Sequence, residues 1–176
     1  MQPRSARDER RWIRDAQRGS ADALERLFRA HWGAAHRAAY LVVHDAAAAE
    51  DIAQEAFLAA VRALDRFDRR RPFAPWLHRI VVNRAIDWAR ARALRRELGD
   101  VDAADPATPD LAGGRAGELA TALAELSPEH RAVIVLRYLL EYTPGEIARL
   151  LDLPRGTVNS RLRRALDALG EELARM

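Results

Sequence analysis

The stretch from residue 97 to residue 117 divides this chain into two parts. It reads ELGDVDAADPATPDLAGGRAG, with prolines, glycines, four aspartates and no apolar periodicity. Such a segment cannot bury enough apolar surface to offset the entropy lost on ordering, so it predicts a flexible acidic linker. We therefore expect two separate domains, residues 1–96 and residues 118–176.

The sequence on both sides of this linker predicts an all-α fold of two small helical domains. Alanine, leucine and arginine, which lose little side-chain freedom in a helix, are abundant. In the first domain an apolar stripe ends at Gly19, Ser20 is a candidate N-cap, and further helices are predicted at about 47–64 and 72–95. The face of the third helix predicted to be apolar comprises Ile52, Ala53, Ala56, Phe57, Ala60, Val61 and Leu64.

Helix start signals in the second domain predict a helix-turn-helix. Ser127 followed by Pro128 predicts a helix over about 128–140. Thr143 with Glu146 forms a capping-box pattern, which predicts a short helix over about 144–151. A turn at Asp152 then leads into a longer helix, from Pro154 to about residue 172.

The last helix has the pattern of a DNA-recognition helix. Its predicted inward side comprises Val158, Leu162, Ala165, Leu166 and Leu169, and its predicted outward side comprises Arg155, Asn159, Ser160, Arg163 and Arg164. Arginine can bind guanine edges or phosphates, and asparagine can pair with adenine. The alternative is a solvated charged face, which most surface helices have.

Two further surfaces stand out in the first domain, which carries 20 Arg against 12 Asp and Glu. Between residues 62 and 96, 11 arginines are interleaved with Phe67, Phe73, Trp76 and Trp88, a combination suited to single-stranded DNA. Each aromatic residue could equally belong to the core. On the third helix, three polar residues project away from the apolar face: Asp51, Gln54 and Glu55.

Nothing in the sequence indicates an enzyme. There is no cysteine, the five histidines lack metal-ligand spacing, and no glycine-rich phosphate loop is present. We expect no catalytic residues, metal, cofactor or small-molecule substrate. With no long apolar run and no secretory signal, the chain is expected to be cytoplasmic.

Three motifs together resemble the extracytoplasmic-function (ECF) sigma factors of the sigma-70 family, over nearly the whole chain. The run DIAQEAFL from Asp51 is similar to region 2.2. Phe73, Trp76, Leu77, Ile80, Asn83 and Asp87 are similar to the F..WL..I..N...D pattern of regions 2.3 and 2.4. The run LPRGTVNSRL from Leu153 is similar to the region 4.2 signature.

The resemblance implies a role for each surface. Asp51, Gln54 and Glu55 would dock on the β′ clamp helices of core RNA polymerase. Phe67, Arg79, Asn83 and Arg84 would bind the non-template strand of the −10 promoter element, with Phe67 and Asn83 lining a pocket for a flipped base. Arg155, Thr157, Asn159, Ser160, Arg163 and Arg164 would read the −35 element as duplex DNA. The family also implies an anti-sigma factor as a partner.

Two departures from the family pattern concern the helix-turn-helix. Asp152 stands where glycine is frequent, and Asn159 stands where a basic residue is frequent.

The competing interpretation is a stand-alone helix-turn-helix regulator that does not bind core polymerase. It accounts for residues 127–172 and assigns nothing to the first domain.

Overall fold

The computed structural model describes residues 6–98 and 115–175, and all of the regular structure in these two ranges is helical. The predicted all-α fold is confirmed. The N-terminal lobe consists of α1 (Ala6–Ala16), α2 (Ala21–Val43), α3 (Ala46–Ala63), a 3₁₀ turn (Leu64–Arg66) and α4 (Phe73–Glu97). The C-terminal lobe consists of α5 (Arg115–Ala124), α6 (Pro128–Ile134), a π turn (Val135–Leu139), α7 (Pro144–Leu151) and α8 (Arg155–Arg175).

Side-chain caps begin several of these helices where the sequence predicts. Ser20 Oγ accepts a hydrogen bond from Ala23 N at 3.3 Å, and Ser127 Oγ accepts one from His130 N at 3.4 Å. These bonds satisfy backbone N–H groups that have no partner within the first turn of a helix. The cap of α3 is Asp45, whose carboxylate accepts from Ala48 N at 2.9 Å and which the sequence analysis did not identify.

The helices on either side of the predicted linker extend into it. Helix α4 extends through Glu97, and α5 already begins at Arg115. The predicted linker of residues 97–117 therefore has helical residues at both ends, and its residues 99–114 lie outside the described part of the chain. Helix α5, which packs on α8, was not predicted.

Two predicted core positions are wrong. Val61 on α3 is 45% exposed and Leu166 on α8 is 42% exposed. Leu166 follows the buried Ala165, so a rotation of about 100° places it beside the inward stripe instead of within it. On both α3 and α8, fewer apolar residues are buried than the sequence pattern predicts.

The two lobes pack on each other through one face of each. Helices α2 and α4 of the N-terminal lobe contact α6, and α4 also contacts α7. Buried residues from both lobes join in one apolar cluster, which includes Leu77 and Val81 on α4 and Leu136 and Ile147 in the C-terminal lobe. Across the described residues, no helix is both long and apolar enough to cross a membrane.

Candidate nucleic-acid interface

The helix-turn-helix is held in place by a capping box at its start and a left-handed residue at its turn. Thr143 Oγ1 accepts from Glu146 N at 3.3 Å, and Thr143 N donates to Glu146 Oε2 at 2.8 Å. Asp152 ends α7 with φ 55° and ψ 48°, a conformation that glycine favours and aspartate tolerates. The turn therefore keeps its left-handed geometry although glycine is replaced.

Helix α8 presents a basic surface because its other side is anchored. Val158, Leu162 and Ala165 are buried against α6 and α7. Four of the predicted −35 residues are exposed: Arg155, Asn159, Arg163 and Arg164. We call these four residues the recognition surface. Its four side chains carry three positive charges and one amide, donors that match phosphates and base edges.

Two of the predicted −35 residues are less available than the others. Thr157 and Ser160 are half-buried, and Ser160 Oγ donates a hydrogen bond to Thr157 O at 2.9 Å. The Ser160 hydroxyl is therefore engaged within its own helix. The sequence pattern predicted it to face outward, and the structure places it at the edge of the recognition surface.

Phe67 lies in a cluster of aromatic rings beside a depression of about 510 Å³. Its ring centroid is 4.6 Å from that of Trp76 and 5.8 Å from that of Phe73. Phe67 is 8% exposed, and it lines the depression together with Trp76 and Arg79. We call this site the aromatic depression. Arg79 is exposed, so aromatic side chains and a guanidinium line the same site.

Asn83 and Arg84 follow Arg79 on α4 and do not line the aromatic depression. Asn83 is half-buried, one helical turn beyond Arg79. Arg84 Nη1 lies 2.6 Å from Glu55 Oε2, with both side chains substantially exposed. This ion pair connects a predicted −10 residue to a predicted polymerase-binding residue, so the two surfaces adjoin.

The polar face of α3 is exposed as predicted, and it borders an apolar groove that the sequence analysis missed. Asp51, Gln54 and Glu55 are all exposed, and Gln54 Nε2 donates to Glu50 Oε1 at 3.2 Å. The groove has a volume of about 440 Å³. Its lining includes Gln54 and three apolar side chains that are 39–55% exposed: Phe28, Leu58 and Val61. The sequence signal for this groove is that α3 carries more apolar residues than a single buried face can hold.

The seam between the lobes carries polar and titratable groups. His78 Nδ1 and Tyr142 Oη form a hydrogen bond of 2.8 Å, and Arg90 Nε donates to Glu129 Oε1 at 2.5 Å. Burial lowers the pKa of His78 to about 4, with a smaller contribution from His31. Burial together with repulsion from Arg131 lowers the pKa of His44 to about 4. We call the residues that face each other here the interlobe seam: His44, His78 and Arg90 on one side, and Glu129, Arg131 and Tyr142 on the other.

Residues of the C-terminal lobe also line the aromatic depression. They include Tyr142, Glu146 and Arg149. Both lobes therefore contribute to the wall of this site. We call the described arrangement, in which the lobes pack on each other, the closed arrangement.

Comparison with known families identifies both lobes. The family model described as sigma-70 region 2 matches residues 27–95, and the model described as sigma-70, region 4 matches residues 116–169. Together they include the aromatic depression, the polar face of α3 and the recognition surface.

Curated relatives match along nearly the whole chain. The ECF RNA polymerase sigma factor SigW of Bacillus subtilis is 32% identical, over 92% of this chain and 94% of the relative. The ECF RNA polymerase sigma factor SigL of Mycobacterium tuberculosis is 35% identical, over 89% of this chain and 92% of the relative.

Solved structures give the same result. CnrH, in complex with the cytosolic domain of CnrY, superposes with a TM-score of 0.71 at 32% identity, covering 97% of this chain and 98% of that one. The sigma factor RpoE of Bartonella quintana, in complex with the anti-sigma factor NepR, superposes with a TM-score of 0.67 at 25% identity, covering 81% and 91%. This chain belongs to the ECF RNA polymerase sigma factors of the sigma-70 family.

Proposed function

We propose that this protein binds core RNA polymerase, directs it to promoters through both lobes and helps it to open the DNA. The observation that carries the proposal is the presence of region 2 and region 4 in one chain, each with an exposed surface of matching chemistry. A stand-alone helix-turn-helix regulator would use the recognition surface alone. It would leave the exposed polar face of α3 and the aromatic depression without a role.

The polymerase-docking surface is the polar face of α3 together with the apolar groove. Asp51, Gln54 and Glu55 supply hydrogen-bond acceptors and charge toward the β′ clamp helices, which is the role that their motif implies. Beside them Leu58 and Val61 are about half exposed. Burial of two such side chains contributes a few kcal/mol, more than exposed ion pairs usually do. The apolar groove would supply affinity, and the polar face would set the orientation of the complex.

The −10 site is assigned to Phe67, Arg79, Asn83 and Arg84. A base removed from the stack can lie against the aromatic cluster of Phe67 and Trp76, while Arg79 binds the backbone. Extruding a base costs a few kcal/mol, so contacts made only to unpaired DNA shift the equilibrium toward melting. Asn83, one turn further along α4, would hydrogen-bond a base edge.

The −35 site is the recognition surface, with Thr157 and Ser160 at its edge. Burial of Val158 and Leu162 fixes the orientation of α8, so that the N-terminal half of the helix can enter a major groove. Arg155 and Asn159 lie nearest the start of the helix and are the candidates for base contacts. Arg163 and Arg164 are the candidates for phosphate contacts.

Two partners and a conformational change follow from this function. Core polymerase and promoter DNA are the working partners. An anti-sigma factor is the regulatory partner, supported by the likeness to RpoE in its complex with NepR. Because Tyr142, Glu146 and Arg149 of the C-terminal lobe line the aromatic depression, we infer that the lobes separate when unpaired DNA binds there.

The direct test of docking is co-migration with bacterial core RNA polymerase on size-exclusion chromatography. The wild-type chain is expected to co-migrate. Glu55→Ala combined with Leu58→Ala should weaken the complex. The matched control is Glu171→Ala with Leu173→Ala, which also removes one exposed carboxylate and one exposed leucine. A wild-type chain that elutes apart from core polymerase would leave only the regulator interpretation.

A further inference from the structure

A concave surface lined by charged side chains lies between α1 and the loop after the 3₁₀ turn. Its volume is about 870 Å³. The lining consists of six arginines and one aspartate: Arg7, Arg10, Arg11, Arg14, Arg69, Arg70 and Asp8. We call this surface the arginine groove. The three family motifs include none of these residues, while Arg69 and Arg70 belong to the basic stretch of residues 62–96.

The fold brings α1 and this loop together through specific hydrogen bonds. The side-chain amide of Gln17, just beyond α1, donates to Leu64 O at 2.9 Å and to Phe67 O at 3.0 Å. Near the start of α1, Glu9 Oε1 lies 2.9 Å from His31 Nε2, where both groups are largely buried. Helix α1 is thus fixed to the segment that carries Phe67, Arg69 and Arg70.

All six arginines that line the arginine groove are exposed. Arg11 and Arg14 have Asp15 as a neighbour at 3.7 and 3.4 Å, but the two arginine side chains are 72% and 45% exposed. Ion pairs in such exposed positions are worth little. Arg7, Arg69 and Arg70 are exposed as well. Like charges gathered on one concave surface repel one another, and a bound polyanion would relieve this repulsion.

The chemistry of the lining favours a sugar–phosphate backbone. Guanidinium groups form paired hydrogen bonds with phosphate oxygens, and six of them at the edge of one groove match a chain of repeating phosphates. The lining has no aromatic or aliphatic side chain. It therefore favours phosphate contacts over an aromatic stacking platform, and it offers nothing apolar to insert into a lipid surface.

We propose that the arginine groove binds the backbone of the single strand that continues beyond the aromatic depression. Gln17 connects the two sites, because it directly follows α1 and its side-chain amide donates a hydrogen bond to the backbone carbonyl of Phe67. The inference rests on the proposed function, in which unpaired DNA enters the aromatic depression. It adds a second, sequence-independent site that lengthens the stretch of open strand held by the protein.

The test uses the holoenzyme of core polymerase and this chain with two promoter fragments selected by that holoenzyme. In one fragment the non-template strand stops at the −10 element, and in the other it continues single-stranded on both sides of that element. Arg11→Ala with Arg70→Ala should weaken binding of the extended fragment on the order of tenfold, and lower its salt-dependence slope by about 1.4, or roughly 0.7 per phosphate contact. Binding of the truncated fragment should stay unchanged.

Two further variants make the result specific. Arg26→Ala with Arg37→Ala removes the same charge from exposed positions of α2 and should leave both fragments unaffected. Arg11→Lys with Arg70→Lys keeps the charge and should retain most of the slope. Equal affinity and slope for wild type and Arg11→Ala/Arg70→Ala on the extended fragment would overturn the proposal.

The outcomes separate this inference from the proposed function. If the double alanine variant weakens a fully duplex fragment as much as the extended one, the groove binds duplex DNA and the single-strand assignment is wrong. If the wild-type holoenzyme shows no preference for promoter DNA at all, the proposed function itself fails. If promoter binding is normal and only the effect of the groove variants is missing, the arginine groove alone is refuted.

Discussion

Neighbouring residues on α4 have different surroundings and, in our account, different roles. Arg84 is paired with Glu55 across to α3, which places it at the border of the docking surface. Asn83 is half-buried on the preceding position, one turn from Arg79. A side-chain amide in such a place can recognise a base edge without contributing to docking.

Asn83→Ala should therefore impair promoter opening and leave polymerase binding unchanged. The substitution removes an amide that would bind only unpaired DNA, so the closed promoter complex should form normally. The measurement is the fluorescence of 2-aminopurine placed in the −10 element, which increases when the base unstacks. Gln54→Ala is the matched control, because it removes an amide from the docking surface: it should weaken polymerase binding, yet open the promoter normally once polymerase is saturating. Equal opening by wild type and Asn83→Ala would exclude Asn83 from the −10 site.

Arg163 and Arg164 belong to the recognition surface, and each is expected to contact a phosphate. Arg163→Ala or Arg164→Ala should lower the slope of log affinity against log salt for −35 duplex DNA by about 0.9, the value for one phosphate contact. Arg175→Ala, at the other end of α8 and paired with Glu172, should leave the slope unchanged. A slope that stays at the wild-type value in both recognition-surface variants would show that these arginines do not meet phosphate.

At the scale of elements, the capping box of α7 determines where the helix-turn-helix begins. Thr143→Ala removes the acceptor for Glu146 N and should destabilise the protein by about 1 kcal/mol. Thermal unfolding followed by circular dichroism measures the effect. Thr121→Ala is the control, since the Thr121 hydroxyl bonds Gly117 O within α5 and caps no helix start. If both variants unfold at the wild-type temperature, the cap contributes nothing to stability.

The helices with strong local signals could be predicted from the sequence, and those set by packing could not. Ser20, Ser127 and Thr143 mark helix starts through bonds to their own neighbours, so residue type and spacing suffice. Helix α5 is short, contains Gly117 and adjoins the linker, so its stability comes from contacts with α8. The π turn at Val135–Leu139 likewise has no local sequence signal.

The candidate sites could be predicted in part for the same reason. Motif residues on α3 and α8 have the exposure expected from helical spacing, with Ser160 at the edge. The aromatic depression and the apolar groove depend on which apolar side chains find a partner in the folded chain. Phe28, Leu58 and Val61 resemble core residues in the sequence, and only the packing of α2 on α3 leaves them exposed.

At the scale of the whole molecule, the interlobe seam is imperfectly bonded. Within residues 6–98 and 115–175, the buried side-chain atoms that make no hydrogen bond with the protein are His44 Nε2, His78 Nε2 and Arg131 Nε. All three lie at the seam. A buried polar group without a partner costs about 1–3 kcal/mol. The closed arrangement is therefore less stable than its apolar contacts alone would make it. Such a seam suits the separation of the lobes that we propose for DNA binding.

Acidification should favour separation of the lobes. In the closed form the pKa values of His44 and His78 are lowered to about 4, mainly by burial. In the open form both side chains would regain ordinary values near 6.5, so the open form binds more protons. The contribution of these histidines to closure is therefore fully present above pH 6.5 and is lost as the pH falls from 6.5 toward 4.

Energy transfer between two dyes measures this directly. The chain has no cysteine, so Arg37→Cys and Arg175→Cys would carry one dye on each lobe. Transfer should decrease between pH 7.5 and pH 5, and His44→Asn with His78→Gln should remove the dependence. Asparagine suits position 44 because this residue has a φ of 53°. Transfer that is constant with pH in the wild type would refute the assignment of the histidines to the closure equilibrium.

The central claim is that one chain gives core RNA polymerase its promoter specificity through two lobes. Single-round run-off transcription, with purified core polymerase and a library of promoter-length DNA, tests it most directly. We predict transcripts that start at defined positions only when the chain is added, and that are strongly reduced by Asn83→Ala and by Arg163→Ala with Arg164→Ala. Transcription that is the same with and without the chain would contradict the account.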